Sequence, residues 1–246
     1  MEPIYTQSFL IDNSHVDRFA HLKTSQLLSF IQEVSGRHSD ILGLTWDELA
    51  EKHMFWAVVR HRVQITRMPS LGETITLETW PCPTTRVAFP RSVIGRDEHG
   101  DELFRSITLW VLMNLDTRAM ILPGSSGVEV MGHLRGLELD APASLHPAKL
   151  SSTASRKVCY SDLDRNGHMN NSSYVSWVDD LLPSAFHQQR PLQELVVCYL
   201  SEAREGQMLE MEYDLDENGC LRTDMYRKRE GSDKPERIFA SRAIYG

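Results

Sequence analysis

Apolar residues recur at helical spacing in one stretch, at Tyr174, Trp177, Val178, Leu181 and Leu182, and so predict an amphipathic helix. Asn170 or Asn171 supplies the short side-chain acceptor that caps such a start, and Pro183 limits how far a straight helix runs. Elsewhere the period is two. Ile75, Leu77 and Thr79 alternate with Thr74, Thr76 and Glu78, and Leu209, Met211 and Tyr213 alternate with Glu210 and Glu212. Glu98-His99-Gly100 and Glu217-Asn218-Gly219 punctuate the alternating runs as turns. A helix followed by several antiparallel strands predicts an α+β module whose sheet curls around the helix.

The pattern occurs twice. Ser14–Glu33 lies over Ser161–Asp180 without a gap, with identity at Ser14/Ser161, Asp17/Asp164, Arg18/Arg165, His21/His168, Ser25/Ser172 and Ser29/Ser176. Chance would give about one such match, so the chain reads as a duplicated module. Val63–Trp80 then resembles Val197–Asp214, pairing Gly72 with Gly206 and Glu78 with Glu212, and "DEHGD" at 97–101 answers "DENGC" at 216–220. The expected division is a first module over 1–135, a linker over 136–155 carrying Pro and Ser, and a second module over 156–246.

Composition narrows the class. The 246 residues are 41% hydrophobic and 24% charged, ordinary for a globular chain that buries its own core. A net charge of −8, with no long Lys/Arg run, argues against nucleic acid or an anionic membrane as partner. Cys82, Cys159, Cys198 and Cys220 form no CxxC pair, which fits a reducing, cytoplasmic setting and no zinc site. The N-terminus does not read as a signal peptide, no stretch is apolar enough for membrane insertion, and no Gly-rich phosphate loop implies a cofactor.

The most distinctive stretch is "SDLDRNGHMNNSSYVSWVDD" (161–180), where Asp164, Asn166 and His168 fall at alternate positions directly before the apolar helix. Together with "FWAVVRHRVQITRMPSLGETITLETWP" and "ITLWVLMNLDTRAM" in the first half, it resembles the acyl-acyl carrier protein thioesterases over nearly the whole chain. The resemblance implies two tandem hotdog modules and hydrolysis of a fatty acyl thioester on an acyl carrier protein, without a cofactor. It also implies a catalytic set of Asp164, Asn166, His168 and Glu202. The family pattern carries a Glu-Cys pair where this chain has Glu202-Ala203, so the set implied here acts on water and not through a cysteine.

Run extended, residues 164–168 would project Asp164, Asn166 and His168 from one side, and the free N–H groups of the next helix would polarise the thioester carbonyl. Glu202 and His168 are the candidate bases, Asn166 the group that positions water, and Asp164 the group that holds its neighbours. Asn170, Asn171, Trp56 and Tyr174 are candidate substrate-binding residues, and Met54, Phe55 and Trp80 candidate lining of an acyl tunnel. In the first module Phe19 stands where Asn166 does and Met68 where Glu202 does, so one active site per chain is expected. Asp162 reads as a cap or solvated turn residue, His21 as structural, and Cys198, sharing strand parity with Glu202, as buried and inert. An acidic carrier protein needs a local basic patch, for which Arg86, Arg91 and Arg96, or Arg227-Lys228-Arg229, are candidates. Acyl-CoA hydrolysis, hydration chemistry and non-catalytic acyl binding are the rival functions. A fused pair makes a monomer feasible and leaves a homodimer open.

Overall fold

The computed structural model describes residues 3–228 and 234–246. The chain divides into two compact units, Met1–Leu22 with Leu27–Pro142, and Lys23–Gln26 with Ala143–Gly246. The first contains β1 (Tyr5–Leu10), α1 (Thr24–Ile41) from Leu27 onward, α2 (Trp46–Glu51), β2 (Met54–Ile65), β3 (Thr74–Pro81), β4 (Phe89–Arg96), β5 (Glu102–Asn114), β6 (Met120–Ile121) and the short α3 (Pro123–Ser126). Its strands run antiparallel in the order β1-β3-β4-β5-β2, with β6 added on β5.

The second unit contains β7 (Ser152–Lys157), a 3-10 turn (Tyr160–Asp162), α4 (Asn171–Asp179), α5 (Ser184–Gln189), β8 (Leu192–Tyr199), β9 (Met208–Leu215), β10 (Cys220–Arg227) and β11 (Glu236–Tyr245). Its order, β7-β9-β10-β11-β8, repeats that of the first. The registers match as well. Tyr5 faces Thr79 and Ser152 faces Tyr213, which are equivalent pairs in the internal alignment.

The periods foreseen are those that pack. Ile75, Leu77 and Thr79 of β3 are buried, as are Leu209 and Met211 of β9. Helix α1 buries Leu27, Leu28, Phe30, Ile31 and Val34, and α4 buries Tyr174, Val175, Trp177 and Val178. At about 1.5–3 kcal/mol for each fully buried large apolar side chain, these faces are the main tie between helix and sheet.

Three expectations need correction. A strand precedes each polar turn: β1 (YTQSFL) and β7 (STASRK) are edge strands with no fully buried residue, so they leave little hydrophobic signal. The segment read as a linker therefore ends early, since β7 starts at Ser152. Before that strand it is anchored, with Arg237 donating to the Leu145 carbonyl at 2.7 Å and Arg222 to that of His146 at 3.1 Å. Finally, the turns at 97–101 and 216–220 are not equivalent. The first joins β4 to β5, whereas the second joins β9 to β10. Both are closed by the same local device, an aspartate accepting backbone N–H groups two and four residues on, in Asp97 and in Asp216. Their likeness is turn chemistry chosen twice.

Among the described residues no helix is long and apolar enough to cross a membrane, and the four cysteines are unpaired.

Candidate active site

The polar turn before α4 is built around two aspartates. Asp162 is buried; its Oδ1 accepts from Trp177 Nε1 at 3.1 Å and its Oδ2 from the Cys159 N–H at 2.8 Å. Its carbonyl accepts from the Asn170 N–H and the Ser173 hydroxyl. Asp162 thus caps the 3-10 turn, as expected, but from a buried position that also ties the turn to the helix.

Asp164 shapes the turn itself. Its Oδ1 accepts the N–H of Asn166 at 2.8 Å and that of His168 at 3.2 Å, and its Oδ2 accepts from Asn166 Nδ2 at 3.4 Å. The backbone closes on itself as well, with Asp164 N–H donating to the His168 carbonyl and Gly167 N–H to the Asp164 carbonyl. Gly167 sits at φ +73°, which a side chain would oppose. Residues 164–168 are therefore a tight bend and not an extended run, and Asp164 steadies His168 through its backbone rather than its ring.

That bend is docked on the segment after β8. Met169 N–H donates to the Ala203 carbonyl at 2.8 Å, and His168 pairs with Arg204 in an isolated bridge. The docking brings His168 Nε2 to 3.1 Å from Glu202 Oε2. The imidazole is 11% exposed and the carboxylate 39%, so the ring stands behind a carboxylate open to solvent. Asn166 is exposed, with its amide nitrogen turned to Asp164. Glu202 lies beyond the end of β8 at Tyr199, in a loop and not on a strand. Strand parity therefore does not relate it to Cys198, which is buried with its thiol toward the Ala143 carbonyl. Ala203 is fully buried, at the position where the family pattern has cysteine.

Arg227 is one of the candidate cations for carrier docking. Its guanidinium instead donates to the Glu202 carbonyl and to Ser201 Oγ at 3.0 Å, and pairs with Glu236 at 2.9 Å. Arg227 clamps the Glu202 loop, and only the contact between β10 and this loop reveals it. Arg229 lies outside the described residues, leaving Lys228 as the exposed member of that trio. In the other group Arg86 is exposed, Arg96 is held by the Gly100 carbonyl, and Arg91 is buried. Replacing Arg227 by Met should lower kcat about tenfold with little change in KM, and Lys should recover part of the loss. Steady-state kinetics of the three proteins decides this, because a docking cation would move KM instead.

The remaining candidates separate. Asn170 is the N-cap of α4, accepting from the Ser172 N–H at 2.9 Å, and the Asn171 carbonyl accepts from Tyr199 Oη. Tyr174 is not placed for substrate: it is 2% exposed and stacked on Phe239. Met54 and Phe55 are buried core, as is Trp80, whose indole donates to Glu138. Trp56 lines a cavity in the first unit.

The first unit repeats the bend with two of the four candidate groups replaced. Asp17 accepts from the Phe19 and His21 N–H groups, Ala20 takes the left-handed position at φ +64°, and Leu22 N–H donates to the Pro69 carbonyl. Phe19 and Met68 replace Asn166 and Glu202, and His21 is exposed.

Residues 2–122 match the family model for the acyl-ACP thioesterase N-terminal domain, and residues 145–238 that for the C-terminal domain. A palmitoyl-acyl carrier protein thioesterase of Gossypium hirsutum, a chloroplastic protein, is 26% identical over 227 residues. The match takes in 84% of this chain but 54% of the relative, so the chain spans about half the length of that protein. Among solved structures, an acyl-ACP thioesterase from Bacteroides thetaiotaomicron superposes with a TM-score of 0.88 at 24% identity, covering 99% of this chain and 98% of that one. The 12:0-ACP thioesterase from Umbellularia californica gives 0.82 at 19% identity, covering 100% and 98%. The fold is the one expected, α+β with two tandem hotdog modules.

Proposed function

The chain belongs to the acyl-acyl carrier protein thioesterase family, and on that premise we propose that it hydrolyses the thioester of a fatty acyl-acyl carrier protein, releasing the free fatty acid. The observation that carries the reading is the 3.1 Å approach of His168 Nε2 to Glu202 Oε2 beside the Asp164–Asn166 bend. The rival hydration and acyl-binding readings do not call for this full set of groups.

In the proposed mechanism Glu202 is the general base, because its carboxylate is the more exposed of the pair. His168 donates its Nε2–H to hold the carboxylate in place. Asn166, its amide nitrogen turned to Asp164, offers Oδ1 to the attacking water. Water adds to the thioester carbon and gives its proton to Glu202; the oxyanion is met by the first free N–H of α4, that of Asn171, since the cap occupies that of Ser172. Collapse breaks the C–S bond, and the leaving thiolate takes up the proton. No covalent acyl-enzyme is required, consistent with Ala203. The first module, with Phe19 and Met68, contributes no second site. The unpaired cysteines support a reducing, cytoplasmic location.

The test is free-thiol release from acyl-carrier-protein and acyl-CoA thioesters of matched chain length. The expected result is turnover on the carrier-protein substrates, with kcat/KM at least about tenfold above the CoA series. A preference for CoA would keep the chemistry and replace the carrier. No thiol release from either series ends the hydrolase reading.

A further inference from the structure

Because the two units share strand register, equivalent core positions can be compared. In the first, Pro81 faces Arg91, Arg91 faces Thr108, and Thr108 faces His61. In the second the same path runs through Leu215, Leu221, Ala243 and Leu195. Leu221, Ala243 and Leu195 are plain buried core, whereas the first unit buries a guanidinium, a hydroxyl and an imidazole in their places. The shared fold does not require that exchange. Thr108 Oγ1 and His61 Nδ1 lie 2.7 Å apart and bond to each other. Arg91 has no such balance. It is 7% exposed, and no carboxylate among the described residues stands near enough to oppose its charge. Its Nη1 donates to His38 Nδ1 at 2.9 Å and to Thr79 Oγ1 at 3.3 Å, while Nε and Nη2 have no protein acceptor among the described residues.

Arg91 is the one charged side chain in the wall of a cavity of about 50 Å3, beside Ser35, Ser39, Trp56, Phe89 and Trp110. At about 10–15 Å3 for each water-sized body, the cavity has room for one small anion and a water or two, but not for an alkyl chain. The Ser35 hydroxyl donates to the Ile31 carbonyl, and the indole N–H groups of Trp56 and Trp110 are buried without an acceptor. The lining side chains therefore offer donors and little to balance them. A buried cation without a counter-charge is costly, and Nε with Nη2 forms the edge of the fork that grips an acceptor. Burial lowers the Arg91 guanidinium only to about 10, so it stays charged at neutral pH. We propose that this cavity is a binding site for a small monovalent inorganic anion of halide size, held on the Nε–Nη2 edge of Arg91. The anion supplies the counter-charge that no carboxylate of the protein provides. The site does not rest on the hydrolase reading, since anion occupancy needs no thioester.

Chloride is the probe, and the linewidth of its NMR resonance in the presence of the full chain is the measurement. The native protein should broaden the line saturably. Nitrate and formate, which are small, should reverse the broadening, and gluconate, which exceeds the cavity, should not. Arg91→Leu gives this position the side chain that Leu221 has in the second unit. It should weaken chloride binding at least about tenfold, the factor a charge-assisted hydrogen bond supplies. Broadening by the native protein that fails to saturate overturns the proposal without recourse to a variant. Reversal by gluconate as complete as that by nitrate overturns it too, because the ion then sits on an open surface. Saturable broadening that Arg91→Leu retains in full places chloride away from Arg91 and also overturns it.

Discussion

Replacing Glu202 by Gln should lower kcat for thioester hydrolysis by about 10^2–10^4-fold and leave KM within a few-fold, the signature of a lost proton acceptor. The amide keeps the size of the side chain and its backbone clamp to Arg227, so folding should be unaffected. His168→Ala should cost less, because the ring supports the carboxylate from behind at 3.1 Å and is 11% exposed. The double variant should fall little below Glu202→Gln alone, since groups acting as a unit are not additive. Single-turnover and steady-state measurements on a saturating acyl substrate decide the roles. A larger loss for His168→Ala would make the imidazole the base and the carboxylate its support. Full activity in Glu202→Gln would remove that residue from the mechanism.

The duplication supplies the second large effect and its own control. Asp164→Ala removes the acceptor for the Asn166 and His168 N–H groups and for the Asn166 amide, and Asp17→Ala removes the acceptor for the Phe19 and His21 N–H groups. Each change should cost about 1–3 kcal/mol of stability, the price of unmet hydrogen bonds to a charged group in a half-buried turn. Only Asp164→Ala should abolish most turnover, by about 10^2-fold, because only its bend carries Asn166 and His168. Thermal unfolding and thiol release on both variants provide the comparison. Equal loss of activity in Asp17→Ala would mean that the first bend takes part in catalysis.

Much of this was open to sequence reasoning for physical reasons. The six identities between Ser14–Glu33 and Ser161–Asp180 fix the internal alignment, and strand register follows it. Buried positions in β3 and β9 obey the two-residue period because one face of each strand meets the core. Asp162 and Asp164 were legible as turn residues, since short acidic side chains bond to nearby backbone N–H groups. The turns at Asp97 and Asp216 mark the limit of that logic. The same local bonding arises wherever the residues permit it, so a shared turn sequence does not establish equivalent places in a fold.

Other features depended on what the chain brings together from a distance. β1 and β7 gain their strand identity from pairing with β3 and β9, and their own side chains say little. Glu202 took its place from the docking of Met169 on Ala203, and its hold from Arg227, 25 residues on. Arg91 and Arg227 looked alike as surface cations. Burial turned one inward onto His38 and Thr79 and made the other a clamp. By itself the sequence determined the duplicated module, its helix and strand periods and the local bend at Asp164, because these follow from side-chain spacing and short-range bonding. Only the tertiary structure decided which carboxylate meets His168 and which cations are withdrawn from solvent, because those outcomes depend on contacts between segments that spacing along one chain does not encode.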